Sequence, residues 1–310
     1  MKTGLNTPLV AIKCLVYNHE PYLRDCLEGF VMQQTNFPYV AIVHDDASTD
    51  NSALIIREYA EKYPDIIKPI YEIENQYSKR DGSLGRVVNS AVDATGAKYI
   101  AMCEGDDYWT DPLKLQKQVD FMETNEGCSL CFHKVKTLIQ KTGEFKDEFI
   151  VRDMPDKSNI IDLAKGNYIH TPSVLYKKDC LDAQLINKMM PCLPGDYVTW
   201  MLLAENGYIY KFDEPMAVYR YGVGIWSDKV SKANSLEALK TLTKLSCMIK
   251  NSEAREVLVR EVKMQTRWML ESFESVEQQY YQITSSHAYR LGKFILSPFS
   301  WLRRMLTSKK

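Results

Sequence analysis

Four short apolar runs, at residues 9–16, 40–44, 66–71 and 98–103, recur through the first 135 residues with helix-like segments between them. Strand-length apolar runs alternating with amphipathic segments are the pattern of parallel strands joined by crossover helices, which restricts this part of the chain to an α/β fold. The first, second and fourth runs end in polar or acidic residues: Tyr17-Asn18-His19-Glu20, Asp45-Asp46-Ala47-Ser48-Thr49-Asp50 and Glu104-Gly105-Asp106-Asp107. Open α/β sheets bind ligands at the carboxyl ends of their strands, so these three ends define one expected site. Pro21, Asp50-Asn51-Ser52 and Asp111-Pro112 supply the helix starts that this reading needs.

Past residue 135 the pattern is less regular. Further strands are expected near 173–176, 208–212 and 216–219, with a helix over 197–205. From 235 to 285 the chain reads as helix, with Leu258, Val262, Met269, Phe273, Val276, Tyr280 and Ile283 on one stripe. Such a stripe packs on the parent domain or forms a subunit interface. The last segment, 288–310, has apolar residues on one helical face and basic residues with no acid among them. Two readings stand for it: a basic amphipathic tail on an anionic membrane surface, or a helix packed on the body.

The chain has 310 residues, 45% of them hydrophobic and 25% charged, enough apolar material for one large or two small domains. A net charge of -1 provides no overall basic field, so no nucleic-acid partner is expected. The eight cysteines are scattered, several inside apolar runs, and read as reduced; Cys128 and Cys131 read as two core thiols on one strand. No signal peptide is evident, and no stretch reaches the roughly 18 apolar residues of a spanning helix. A cytoplasmic protein, associated peripherally with the membrane, is expected.

Transfer of a sugar from a nucleoside diphosphate requires recognising the base, neutralising the departing diphosphate and removing a proton from the acceptor. A magnesium or manganese ion takes oxygen ligands, commonly one or two carboxylates plus substrate phosphates. Asp106 and Asp107, just beyond an apolar run, suit that task, although adjacent acids are also common in solvated turns.

Three segments, in order and spacing, carry a more specific signal: Val10 to Asn18, Asp45 to Ser52, and Glu104-Gly105-Asp106-Asp107-Tyr108-Trp109-Thr110-Asp111-Pro112-Leu113-Lys114-Leu115. Together they resemble the inverting family 2 glycosyltransferases of the GT-A fold, of the bacterial cell-surface polysaccharide type. The resemblance covers about residues 8–227 and is strongest up to 121. It implies a Rossmann-like central mixed, mostly parallel sheet flanked by helices, over residues 1–227, with a nucleotide-sugar half at 8–135 and an acceptor half at 136–227. A helical extension (228–287) and the basic tail (288–310) follow.

Residue by residue, the resemblance implies that Tyr17 lies against the base and Asp46 accepts a hydrogen bond from a uracil-like ring, with Asn18, Glu20 and Ser48 in the same nucleotide pocket. It makes Asp107 the ligand of Mn2+ or Mg2+ and Asp106 a contact to ribose or donor sugar. Asp196, at a helix start, resembles the general base that takes the acceptor proton as the hydroxyl attacks the anomeric carbon and inverts it; a plain helix cap explains the same residue. A loop aromatic is the alternative at Tyr17, and a capping turn the alternative to base recognition at Asp45, Asp46 and Ser48. His170, Arg220 and Trp226 are candidate contacts to diphosphate or acceptor, His170 also fitting a structural histidine. Relatives commonly carry a histidine shortly after the arginine; here the chain reads Tyr221-Gly222-Val223-Gly224-Ile225-Trp226-Ser227, which leaves the metal shell leaning on Asp107 and the diphosphate. Lys79, Arg80 and Arg86 could neutralise phosphate or form a solvated face.

The expected activity is metal-dependent, inverting transfer from a nucleoside-diphosphate sugar, UDP-linked in the first instance, to a hydroxyl of a lipid-linked saccharide. Two alternatives remain: a sugar nucleotidyltransferase, whose glycine-rich phosphate loop is not apparent at Tyr17 to Pro21, and a non-catalytic membrane scaffold. Oligomerisation through the helical extension is a further possibility that the sequence leaves open.

Overall fold

The computed structural model describes residues 7–147, 154–189, 195–224 and 232–286. The chain divides into two compact units, residues 1–259 and 260–310. The tail at 288–310, and Trp226 with most of the segment after Gly224, lie outside the described residues.

The first part is built as the apolar runs imply. Strands β1 (Val10–Val16), β2 (Tyr39–Asp45), β3 (Ile67–Tyr71) and β4 (Tyr99–Met102) alternate with helices α1 (Leu23–Val31), α2 (Ser52–Lys62) and α3 (Ser83–Ala94). They pair in parallel in the order β3-β2-β1-β4. Central strands of a parallel sheet are covered on both faces, which is why β1 is buried nearly throughout, with only Lys13 and Leu15 partly exposed. Burying such Val, Ile and Leu side chains stabilises the fold by about 1.5–3 kcal/mol each.

After β4 come β5 (Tyr108–Trp109), α4 (Lys114–Thr124), β6 (Cys128–Ile139) and β7 (Glu144–Lys146). Then follow β8 (Lys157–Ser158), α5 (Ile160–Ala164), β9 (Leu175–Lys177), α6 (Ala183–Met189), α7 (Gly195–Ala204) and β10 (Tyr208–Tyr221). The sheet continues β4-β9-β6-β10-β5, with β7 on β6 and β8 on β10. Here the pairing changes: β9 runs antiparallel to both β4 and β6, and β5 antiparallel to β10, while β6 and β10 are parallel. The sheet is mixed, parallel from β3 to β4 and largely antiparallel beyond.

Two expected strands at 208–212 and 216–219 are one strand, β10, whose register on β6 shifts between Phe212 and Ala217. The interruption that made them look separate, Asp213-Glu214-Pro215, is that irregularity, where a proline is tolerated. Likewise the helix expected from 235 is two, α8 (Lys232–Met248) and α9 (Ser252–Ser285). Glu205 makes the break: its Oε1 accepts from the backbone N–H groups of Lys250 at 2.6 Å and Asn251 at 3.0 Å, and Asn251 Oδ1 accepts from Ala254 N–H at 2.9 Å. Of the apolar stripe, Leu258 is buried; the side chains of Phe273, Val276, Tyr280 and Ile283 lie outside the described residues. Cys128 and Cys131 are buried on β6 with free thiols, as expected.

Close packing sets the distance between α1 and the site. A Cβ added at Gly29 would sit 2.9 Å from the backbone nitrogen of Trp109, so only glycine allows α1 to meet β5, and Phe30 then packs edge-on against Trp109 at 5.0 Å.

Candidate functional site

The ends of β1 and β2 form two turns that are bonded to each other. Asn18 and Ala47 adopt left-handed backbone conformations (φ 56° and 59°), which reverse the chain immediately after each strand. Asn18 N–H donates to Ser48 Oγ at 2.9 Å, and Thr49 N–H donates back to Asn18 Oδ1 at 2.8 Å. His19 N–H donates to Ser52 Oγ and Glu20 N–H to Asp50 Oδ2, both at 2.9 Å. Glu20's carboxylate accepts from the Asn51 N–H and side-chain amide at 3.0 and 2.7 Å. Glu20 therefore closes the start of α2, where an acid is favoured by the helix dipole.

Asp46 is 3% exposed. Its two carboxylate oxygens accept from the backbone N–H groups of Gln76 and Tyr77, at 2.6 and 3.0 Å. It thus anchors the segment after β3 across the end of β2. Its neighbour Asp45 is also buried, and its Oδ1 has no partner among the described residues. An unpartnered buried acceptor is costly unless something donates to it, which makes it the open acceptor of this turn. Tyr17, at the end of β1, has 43% of its surface exposed, with its ring free to meet a ligand.

The turn after β4 gathers the acids. Asp106 and Asp107 are buried, and Glu104 is half-buried. Burial pushes the Asp107 carboxyl well above the usual carboxylate range, reinforced by Asp106 and opposed by its bond from the Arg220 N–H. Burial likewise raises Glu104 to about 8, with repulsion from Asp106 and Asp196 adding and Lys13 subtracting. Lys13 donates to Asn89 Oδ1 at 3.1 Å, and burial lowers it to about 8. A lysine inside an apolar strand run was the sequence signal for this cation. Gly105 is required here because a Cβ would lie 2.8 Å from His19 Nδ1, a buried atom with no protein partner. Burial lowers the His19 pKa against the pull of Asp106 and Asp50.

Arg220 reaches the same turn from the far end of β10. Its backbone N–H donates to Asp107 Oδ1 and one guanidinium nitrogen to the Asp106 carbonyl, both at 2.8 Å, and another nitrogen bonds Asp25 Oδ2. The guanidinium carbon lies 4.6 and 5.1 Å from the ring centres of Tyr108 and Tyr22. With these partners the guanidinium braces the acidic turn.

On the opposite side, Asp196 lies in the first turn of α7. Its Oδ2 accepts from the Thr171 hydroxyl at 3.4 Å and its Oδ1 from the Tyr197 N–H at 2.7 Å, and burial raises its pKa. Asp196 lies near enough to Glu104 for its charge to help raise the Glu104 carboxyl. His170, beside Thr171, packs against the Tyr219 ring at 4.6 Å with the planes tilted by 40°; burial lowers it to about 4, and its Nε2 has no partner among the described residues. The structure thus gathers Glu104, Asp106, Asp107, Asp196 and Thr171, and places Tyr17 with Asp45 and Asp46 at the neighbouring strand ends. Among the described residues, no three His, Cys, Asp or Glu side chains form a ready-made metal cage.

Comparison with known proteins agrees with this arrangement. Residues 14–172 match the family Glycosyl transferase family 2. An uncharacterized protein of Mycobacterium tuberculosis (strain ATCC 25618 / H37Rv) is 33% identical over 273 residues, covering 84% of this chain and 74% of that protein. The putative teichuronic acid biosynthesis glycosyltransferase TuaG of Bacillus subtilis (strain 168) is 29% identical over 69% of this chain and 79% of its own. In fold, the chain is similar to S. aureus TarS 1-349 in complex with UDP, with a TM-score of 0.59 and 18% identity over 80% of this chain and 69% of that one. The mixed sheet with flanking helices is the GT-A fold, and the chain belongs to glycosyl transferase family 2: it is a glycosyltransferase.

Proposed function

We propose that this glycosyltransferase moves a sugar from a nucleoside-diphosphate donor, UDP-linked in the first instance, to a saccharide hydroxyl with inversion at the anomeric carbon. The observation that carries the reading is the placement of Asp196 opposite the turn Glu104 to Asp107, with the nucleotide-side turns Tyr17 and Asp45-Asp46 beside that turn. Asp196 is the general base. It is half-buried, accepts a long bond from Thr171 and a bond from its own backbone neighbour, and burial raises its affinity for the acceptor proton. Tyr17 supplies a face for the base, and the Asp45-Asp46 turn supplies the acceptor for an imide-type N–H.

A divalent cation fits the donor set. Asp107 and Asp106 offer hard oxygen ligands whose mutual repulsion a cation relieves, and one or two carboxylates with substrate phosphates suffice for Mg2+ or Mn2+. Asp107 would hold it, with Asp106 towards ribose or donor sugar. Bound there, such an ion neutralises charge on the departing diphosphate. Asp196 takes the acceptor proton while Arg220 keeps the acidic turn in place.

The acceptor is read as a lipid-linked saccharide of a surface polysaccharide, and the basic segment 288–310 as the contact to an anionic membrane. No helix among the described residues is long and apolar enough to cross a membrane. Residues 8–135 are taken as the donor half and 136–227 as the acceptor half.

The test is release of nucleoside diphosphate from a panel of UDP-, dTDP- and GDP-sugars with added manganese, on the wild type and on Asp107→Asn and Asp196→Asn. The reading requires turnover by the wild type and its loss in both variants. Turnover that persists without divalent metal and in Asp107→Asn refutes the metal assignment; turnover that persists in Asp196→Asn refutes the base.

A further inference from the structure

Two buried hydrogen bonds from β5 and α4 converge on one short turn. The indole N–H of Trp109 donates to the Pro172 carbonyl at 2.8 Å, and Gln118 Nε2 donates to the Ser173 carbonyl at 2.9 Å. Both acceptors belong to the 3-10 turn Thr171–Ser173, whose first residue donates its hydroxyl to Asp196. Between the two donors sits Lys114, 0% exposed, with its Nζ 2.7 Å from Gln118 Oε1 and 4.1 Å from the Trp109 ring centre.

This cluster is unusual for a core. A buried ammonium is unfavourable unless paired, and here its nearest contacts are the Gln118 amide oxygen and the Trp109 indole face, with the Asp111 carboxylate acting only at longer range. Burial accordingly lowers Lys114 to about 7. Its geometric effect is specific. A backbone carbonyl can only accept, so the Gln118 amide must turn its nitrogen to Ser173, which leaves its oxygen to accept from Lys114. Trp109 is limited to donation, and its ring is held edge-on by Phe30. Fold stability alone would be served as well by apolar residues of equal volume.

We infer that Lys114, Gln118 and Trp109 are positioning residues: they lock the Thr171–Ser173 turn so that the Thr171 hydroxyl holds Asp196 in its working orientation. The inference rests on the reading of Asp196 as the base. It means that one continuous stretch, from Glu104 to Gln118, provides the donor-side acids at its start and sets the acceptor-side base at its end. Donor and acceptor halves are thereby held in register by a buried polar brace.

Gln118→Glu separates positioning from stability. The glutamate still accepts from Lys114, now as an ion pair, but presents an oxygen to the Ser173 carbonyl and releases the turn. The experiment measures hydrogen exchange over residues 170–176, together with kcat and donor KM, using the nucleotide-sugar selected by the donor panel and water or octyl glycosides as acceptors. Expected are faster exchange in 170–176 with β1 to β4 unchanged, and a kcat lowered about 10- to 100-fold with donor KM nearly constant. Thr171→Val should reproduce the kcat loss and Thr171→Ser should restore it, a rescue that general loosening of the fold does not produce. Unchanged exchange over 170–176 in Gln118→Glu, or wild-type kcat in Thr171→Val, overturns the inference. Asp196→Asn keeps the two questions apart: an active Asp196→Asn defeats the base reading, whereas an inactive one beside wild-type kcat in Gln118→Glu and Thr171→Val defeats only the brace.

Discussion

The backbone N–H of Arg220 donates to Asp107 Oδ1 at 2.8 Å, joining the end of β10 to the acidic turn after β4 across 113 residues of sequence. Because the donor is a main-chain group, no side-chain substitution at 220 removes it directly. The Arg220 side chain keeps that strand end in place through Asp25, the Asp106 carbonyl and the faces of Tyr22 and Tyr108.

Arg220→Lys therefore loses the planar fork and the stacking while keeping the charge. It should lower stability by about 1–3 kcal/mol, read as the denaturation midpoint, and reduce kcat. Retention of both by the lysine variant would mean that charge alone suffices.

Stability without divalent metal should depend on pH through Glu104. Its folded carboxyl titrates near 8, above the ordinary 4.5, so between those values the folded state binds more protons than the unfolded one. Stability is then fully present below about pH 4.5 and falls as pH rises towards 8. Thermal melts in EDTA from pH 5 to 8 should show the midpoint falling, and Glu104→Gln should flatten that fall; an equal slope in the variant contradicts the assignment.

Gly29→Ala forces a methyl to within 2.9 Å of the Trp109 backbone nitrogen and 3.2 Å of its carbonyl oxygen. Backbone atoms cannot rotate away, so α1 must shift from β5, and a loss of about 1–3 kcal/mol is expected in chemical denaturation. The same substitution at Gly143, where a Cβ meets nothing within 4 Å, should cost only the strain of its positive φ.

Tyr17→Ala addresses base recognition. The ring is exposed, so stability should change by no more than about 0.5 kcal/mol. Loss of stacking should nevertheless raise donor KM by roughly 5- to 100-fold, with Tyr17→Phe close to wild type. Steady-state kinetics with a saturating acceptor decides it, and an unchanged KM in the alanine variant removes Tyr17 from the base site.

Local pattern was sufficient for the strand ends that form the site. An apolar run of strand length followed by acids can be read from neighbours in the chain, so the turns after Val16, Asp45 and Met102 were legible, as was the start of α7 at Asp196. What a polar side chain does once there depends on what faces it. Glu20 and Ser48 bond residues 30 or more positions away, because the turns after β1 and β2 lie side by side in a parallel sheet. Asp46 is engaged by Gln76 and Tyr77 for the same reason, and Asp45 is left with the unpartnered oxygen.

The sequence by itself determined the fold class, the family and the group of acids at the strand ends, since these depend on periodicity and on motifs that are continuous in the chain. Only the tertiary structure decided the division of labour among them: Arg220 as a brace, Lys13 beside Glu104, and Lys114 with Gln118 beneath the turn that carries Thr171. Hydrogen-bond partners and carboxyl affinities are set by burial and by groups brought together across the sheet, and neither is encoded in the spacing of residues along one strand.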